Sequence, residues 1–217
     1  MRIGKRYLIL SMALIATMYG CAFGTRNVTL NPVKTSLGLD AVGQSVYVEV
    51  TDKRNPALKP VVGHVKNGYG MKTADVIGDK EVAVWVQDSI LEELRRFGTV
   101  IITDPATVDA KASRLAIDVL ICYAQAYWNY GGEVSVALTV RKDDRELIND
   151  KNYSGTARLG MNFAATSESY QKVLELAMDA MLQQILPDII TAITTEQPPK
   201  ASQPKSEVVT EVSQPKP

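Results

Sequence analysis

The sequence predicts an α+β fold: a mainly antiparallel sheet of about five strands with two helices packed on one face. Three observations predict it. Several short runs alternate apolar and polar residues, the period of a half-buried strand. Two longer runs, within 82–97 and 170–185, repeat apolar residues at helical spacing. The order is strand, short strand, helix, strand, three strands in hairpin connection, helix.

Residues 1–20 stand outside that fold. Arg2, Lys5 and Arg6 make a cationic start, and Tyr7 to Met18 is an apolar run of 12 residues. A helix needs about 20 apolar residues to cross a bilayer, whereas a run of this length fits a secretory signal. Met18-Tyr19-Gly20-Cys21 then resembles a bacterial lipobox, in which a peptidase cuts before a lipid-bearing cysteine. Gly20 and Cys21 match, and Tyr19 departs from the smaller residue usual there. The same residues leave open a secreted protein with a free Cys21, or an uncleaved anchor. By resemblance, cleavage leaves Cys21 as a lipidated N-terminus, with palmitate among its chains. Ala22 after it points to the outer membrane, facing the periplasm. Each buried CH₂ of such a lipid adds about 0.8 kcal/mol to membrane attachment.

The chain has 217 residues, 46% of them apolar, which is a globular composition. About 197 residues remain after cleavage, enough for one domain with appendages. Removing Arg2, Lys5 and Arg6 from the 24 Lys+Arg leaves 21 against 24 Asp+Glu, a net charge of −3. With no basic surplus, nucleic acid is not an expected partner. The second cysteine, Cys122, lies in an apolar run and reads as a small buried hydrophobe. Two scattered cysteines and one histidine have no metal-ligand spacing. No cofactor motif is present, so no cofactor is expected.

Residues 21–44 have no sustained period and read as a tether from membrane to domain, running along it. The domain is then 45–195. Ser45 to Val50 alternates Val46, Val48 and Val50 with Tyr47 and Glu49, a strand with one wet face. Thr51 to Pro56 is a polar turn. Val61 to Val65 is a short strand, Asn67-Gly68-Tyr69-Gly70 a turn, and Val76-Ile77 a brief strand. Asp79 reads as an N-cap. Val82, Val86, Ile90, Leu94 and Phe97 form one helical stripe, with Trp85 beside it, and Gly98 closes the helix. Thr99 to Thr103 is β-branched and reads as a strand.

Arg114 to Ala124 reads as a strand with Leu115, Ile117, Val119 and Ile121 on one face. Ala116, Asp118, Leu120 and Cys122 fall on the other. Gly131-Gly132 reads as a break after the aromatic stretch Tyr123 to Tyr130. Glu133 to Arg141 alternates again, Lys142 to Arg145 is a turn, and Leu147 to Ala157 is a return strand at an edge. Ser167 caps the last helix, whose apolar face holds Tyr170, Val173, Leu174, Ala177, Met181 and Ile185. Pro187 predicts a kink or break. Residues 196–217 carry Ser-Gln-Pro-Lys twice, from Ser202 and Ser213. Such a proline-rich tail buries too little apolar surface to order itself.

These elements, in this order, resemble the YajG-like family of bacterial lipoproteins. The resemblance rests on the Cys21 leader, the run Ser45 to Arg54, the helix end Leu94-Arg-Arg-Phe-Gly98, the strand Leu115-Ala-Ile-Asp-Val119 and the terminal helix. It spans residues 21–195 and implies an envelope location and a fold, without a chemistry.

Of the candidate sites, His64 as a general base lacks a partner in the sequence, and a strand histidine is the plainer reading. Gly68-Tyr69-Gly70 lacks the Gly-Lys-Ser/Thr of a phosphate loop. Asp52 and Arg54 flank a strand end and offer either a pair or a ligand site, a structural salt bridge or turn contact being the plainer reading. Tyr123, Tyr127, Trp128 and Tyr130 form the candidate interaction surface, for an envelope protein, a glycan or a lipid. No nucleophile and base are paired, so an enzyme is not expected. The sequence thus points to a non-enzymatic binding or structural lipoprotein, or to an accessory subunit of a transport or lipid-trafficking complex.

Overall fold

Two strands share one edge of a third, and the rest of the sheet grows from that junction. The computed structural model describes residues 24–40, 43–109, 112–143, 145–160 and 166–195. The expectations for the leader, for Cys21 and for the tail fall outside these residues. The strands are β1 (Arg26–Val28), β2 (Ser45–Asp52), β3 (Val61–Lys66), β4 (Lys72–Gly78), β5 (Val100–Ile102), β6 (Ser113–Ala126), β7 (Asn129–Lys142) and β8 (Arg145–Gly160). The helices are α1 (Val82–Arg96) and α2 (Ser167–Thr194).

β6 is the shared strand. One edge pairs antiparallel with β7 along its length, and β7 pairs antiparallel with β8. On the other edge, β2 runs parallel to residues 113–119 and β3 runs parallel to residues 124–126. β5 then pairs parallel with β2, β4 antiparallel with β3, and β1 parallel with β4. The expected α+β class holds, but the sheet is not mainly antiparallel and has more than five strands: among the described residues it is mixed, with eight. Alternation marks a buried face and says nothing of strand direction. The hairpins β6–β7–β8 were legible because they are local, whereas the parallel pairings join residues about 60 positions apart.

Between the end of β2 and the start of β3, the edge of β6 faces neither strand. Arg54 fills that gap. Its guanidinium donates to the carbonyls of Val61 (3.1 Å), Cys122 (3.4 Å) and Lys59 (2.7 Å). It also grips both carboxylate oxygens of Asp52, at 3.0 and 2.8 Å. Each of the two side chains is only 8% exposed. Beside them the Lys53 N–H reaches the Val119 carbonyl. The planar fork of arginine suits this task, since it satisfies a carboxylate and several carbonyls at once.

The same region of β6 holds a bulge. The register against β7 shifts between Val119 and Ile121, and one extra residue exchanges the two faces of a strand. Leu115, Ile117 and Val119 point to the core before it, and Cys122, Ala124 and Ala126 after it. The single-face reading that grouped Ile121 with the core is therefore corrected: Ile121 is exposed and Cys122 buried. Burial pushes the Cys122 thiol up to about 12, so it stays a neutral apolar group.

Both helices join one core on the same face of the sheet. α1 carries Trp85, Val86, Ile90 and Leu94 inward. Glu81 is its N-cap position; Asp79 does not cap it but accepts from the Leu30 N–H. At the other end Gly98 has φ +75. Its N–H bonds Arg95 O, and the Thr99 N–H bonds Leu94 O, the paired closure that favours glycine at this position. α2 packs on β8, β7, β6 and β1, so the sheet curls around it. Its cap is Thr166, one residue before Ser167. The predicted break at Pro187 does not occur, and the helix runs through it to Thr194. Ile185 and Leu186 before the proline and Ile189 and Ile193 after it keep the buried stripe unbroken, which offsets the lost hydrogen bond. By length and hydropathy α2 is long and apolar enough to cross a bilayer; here it is the core helix.

Gly131 and Gly132 do not end a strand. They lie within β7, opposite Gln125 and Ala124. A Cβ on Gly132 would stand 2.6 Å from the Val173 carbonyl oxygen, and one on Gly155 would stand 2.0 Å from that of Ala177. These two glycines let the α2 backbone lie directly on the sheet.

Residues 26–37 run along the body and are built into it, so the folded unit begins at β1 rather than at Ser45. Trp85 Nε1 donates to Asn31 O, Ser89 Oγ accepts from the Val33 N–H, and Glu93 accepts from Thr35 Oγ1. Arg96 then binds Thr35 O and Leu37 O. The periods match: two residues of extended chain rise about 6.6 Å, and four residues of helix rise about 6 Å. Alternate strap residues therefore meet every fourth residue of α1.

Arg54→Ala strands a buried carboxylate and the part-buried carbonyls of Val61 and Cys122, and is expected to cost about 3–5 kcal/mol in urea denaturation, with Arg54→Lys recovering a minority. Burial raises the Asp52 carboxyl, but the Arg54 bonds outweigh it and hold it below its ordinary 3.8. That stability is present above this ordinary value and lost as pH falls through the lower folded one. Asp52→Asn should flatten the acid limb of a Tm-against-pH curve. Gly155→Ala should cost about 3 kcal/mol by overpacking, and thermal melts that match the wild type would refute the helix-on-sheet contact.

Candidate functional site

The turns at one end of the sheet gather most of the exposed aromatic surface. β3 ends where β4 begins, with Lys66 opposite Lys72. β6 ends where β7 begins, with Ala126 opposite Tyr130. Val65 pairs with Ala126, so the two turns are neighbours. The end of β8, at Gly160, lies opposite Asn129. The start of α2 is tied to the same place by the Thr166 N–H, which donates to the Tyr130 hydroxyl. This end is the tip of the domain.

The four predicted aromatics separate there. Trp128 is 76% exposed and Tyr127 39%, and their rings meet edge-on at 5.3 Å. Tyr130 is corrected out of the surface: it is 1% exposed and packs edge-on against Tyr170 in the core. The alternation of β7 sends Tyr130 inward with Gly132 and Val134. Tyr123 is half-buried, and its ring lies edge-on to His64 at 5.4 Å. Burial raises its hydroxyl.

In the sequence residues 67–70 read as a plain turn; in the structure they are part of the site. Tyr69 is 87% exposed and Met71 is exposed too. The turn that presents them is well tied. Asn67 Oδ1 accepts from the N–H groups of Tyr69 and Met71, and Gly70 N bonds Asn67 O. Gly70 has φ +81, and a Cβ there would lie 3.4 Å from the Tyr127 ring. The two turns thus lie side by side, and Tyr69, Met71, Tyr127 and Trp128 are the exposed apolar residues they present, termed the apolar cap. A large aromatic inside a turn sequence was the only signal of this.

His64 sits below the cap on β3. Its Nδ1 lies 2.9 Å from Asp75 Oδ1, and Lys72 Nζ lies 2.6 Å from the same oxygen. The Lys72 contact, the largest influence, outweighs burial and holds the Asp75 carboxyl below its ordinary value. The groups around His64 are thus a salt-bridged carboxylate and a tyrosine ring. Among the described residues, no three His, Cys, Asp or Glu side chains group as metal ligands.

At the opposite end, β8 and the last turns of α2 enclose an open groove of about 720 Å³. Leu147, Ile148 and Ala192 supply apolar walls. Lys151 and the Tyr153 hydroxyl both bind Asp188, which these bonds hold below its ordinary value.

No family model matches this chain, and no curated protein matches it. Solved structures do resemble it. One is the protein XCC0632 from Xanthomonas campestris, of the family DUF330, with 12% identity and a TM-score of 0.53. The match covers 78% of this chain and 95% of that one. Another is an uncharacterised protein with 10% identity and a TM-score of 0.47, covering 76% of this chain and 99% of that one. The chain therefore shares its α+β fold, two helices against a curled mixed sheet, with a protein of a family of unknown function.

Proposed function

We propose that this protein is a YajG-like lipoprotein of the bacterial cell envelope, held by a lipid on Cys21, that works by binding rather than by catalysis. The leader carries this reading: three basic residues, a 12-residue apolar run and a cysteine after Gly20. The order of motifs from Cys21 to the terminal helix supports the family. The exposed pair Tyr127 and Trp128 gives the domain a contact surface, since aromatics combine apolar area with a polar handle. The location that follows is the outer membrane, facing the periplasm. The partners that follow are the membrane itself and an envelope protein, glycan or lipid, with no cofactor, metal or nucleic acid.

The groove at the far end favours a second reading, an accessory subunit of a transport or lipid-trafficking complex. A body held at one end and grooved at the other can join a membrane to a second protein. Crosslinking in cells separates the two readings, because the accessory subunit yields a reproducible transporter partner.

Labelled palmitate should enter the wild type grown in its native host and be absent from Cys21→Ser, which should move to the soluble fraction. A Cys21→Ser protein that stays unshortened and membrane-bound would overturn the reading.

A further inference from the structure

We infer that the apolar cap of Tyr69, Met71, Tyr127 and Trp128 rests in the membrane interface, and that it stands the domain on the bilayer that holds its N-terminus. The inference deepens the anchored-lipoprotein reading and rests on it. It names the occupant of the exposed aromatic surface as a lipid bilayer.

The path of the chain makes the argument. β1 runs parallel to β4, with Arg26 opposite Val76. β4 starts at the tip, where Lys72 faces Lys66. Followed backwards from Arg26, the chain therefore heads toward the tip. Arg26 also acts on the Tyr170 hydroxyl in the first turn of α2, which is at that end. Arg26 stands level with Val76. Five residues separate Arg26 from Cys21, a reach of at most about 18 Å. The same number of residues along β4 leads from Val76 to Met71. The described chain thus enters the domain from the end that bears the apolar cap, and the proposed membrane-inserting segment precedes it in sequence. This holds whether the insert is a lipid on Cys21 or an uncleaved apolar leader.

The chemistry of the cap fits an interface. Tyrosine and tryptophan concentrate at the boundary between headgroups and acyl chains, where a ring is buried and its polar edge stays wet. Met71 adds an unbranched apolar chain. Both turns are tied, one by the Asn67 bonds and the other by the Tyr127 N–H to Asn129 O, so little order is lost when the cap inserts. A small cap suffices, because an anchor a few residues away makes its insertion an intramolecular step with a high effective concentration.

The chain supplies its own probe. Its tryptophans are Trp85, which is fully buried, and Trp128 at the cap. Full-length protein purified from its host is reconstituted into vesicles of phosphatidylethanolamine and phosphatidylglycerol, with and without brominated acyl chains. Bromolipid should quench most of the Trp128 emission and leave Trp85 unquenched, and Trp128→Phe should remove the quenched component. Trp128→Phe should keep the wild-type Tm, since the side chain packs on little. Trp128 emission that bromolipid leaves unchanged overturns the proposal. So does a Trp128 that is shielded from aqueous iodide yet unquenched by bromolipid, because a protein then covers it. Palmitate content and sedimentation with the vesicles are measured on the same sample. An attached protein with an unquenched Trp128 refutes the cap and leaves the anchor standing, whereas loss of attachment refutes the anchor.

Discussion

The buried pair Asp52–Arg54 closes the point at which the sheet divides. β6 has one edge and two parallel partners on it, and a sheet cannot fork without leaving carbonyls unpaired at the fork. Arg54 supplies donors for three of them and takes its counter-charge from Asp52, two residues away. The short spacing matters. The pair forms within one strand end, and no distant element has to arrive first. Because β2 and β3 are then fixed on one strand, the half of the sheet that carries α1 and the half that carries the tip share a single core.

Other features follow from that fork. The bulge in β6 lies beside it and exchanges which residues face inward, so Leu115, Ile117 and Val119 before it and Cys122, Ala124 and Ala126 after it enter the same core. The glycines of β7 and β8 let α2 lie close, and the curl of the sheet brings β1 to the same helix. The strap from Asn31 to Leu37 then locks onto α1. Any pull on the N-terminus is shared between a strand pairing and a ladder of side-chain bonds. Such sharing of load suits the membrane attachment proposed above.

Much of this was legible in the sequence, and the reason differs by element. The hairpin strands and both helices were readable because their periods are local. The Asp52–Arg54 pair was readable because its residues are neighbours. The parallel pairings were not, since alternation in Ser45 to Val50 fixes a face and no partner. Asn31, Val33 and Thr35 were read as a tether because an extended strap has no periodic signature of its own. Its period appears only against Trp85, Ser89 and Glu93. Tyr130 was misplaced because a cluster of aromatics in sequence is divided by strand alternation into inside and outside. Tyr69 and Met71 were missed because the nearness of two turns is a property of the sheet.

In the proposed orientation the end bearing Tyr69 and Trp128 meets the bilayer while the β7–β8 turn points away. Spin labels placed by Tyr69→Cys and, separately, by Asp143→Cys in the full-length anchored protein test it directly, with buried Cys122 left unlabelled. Accessibility to oxygen dissolved in lipid should be high at position 69 and low at 143, and accessibility to a water-soluble nickel complex should be the reverse. Equal accessibilities at the two positions, or the opposite order, would contradict it.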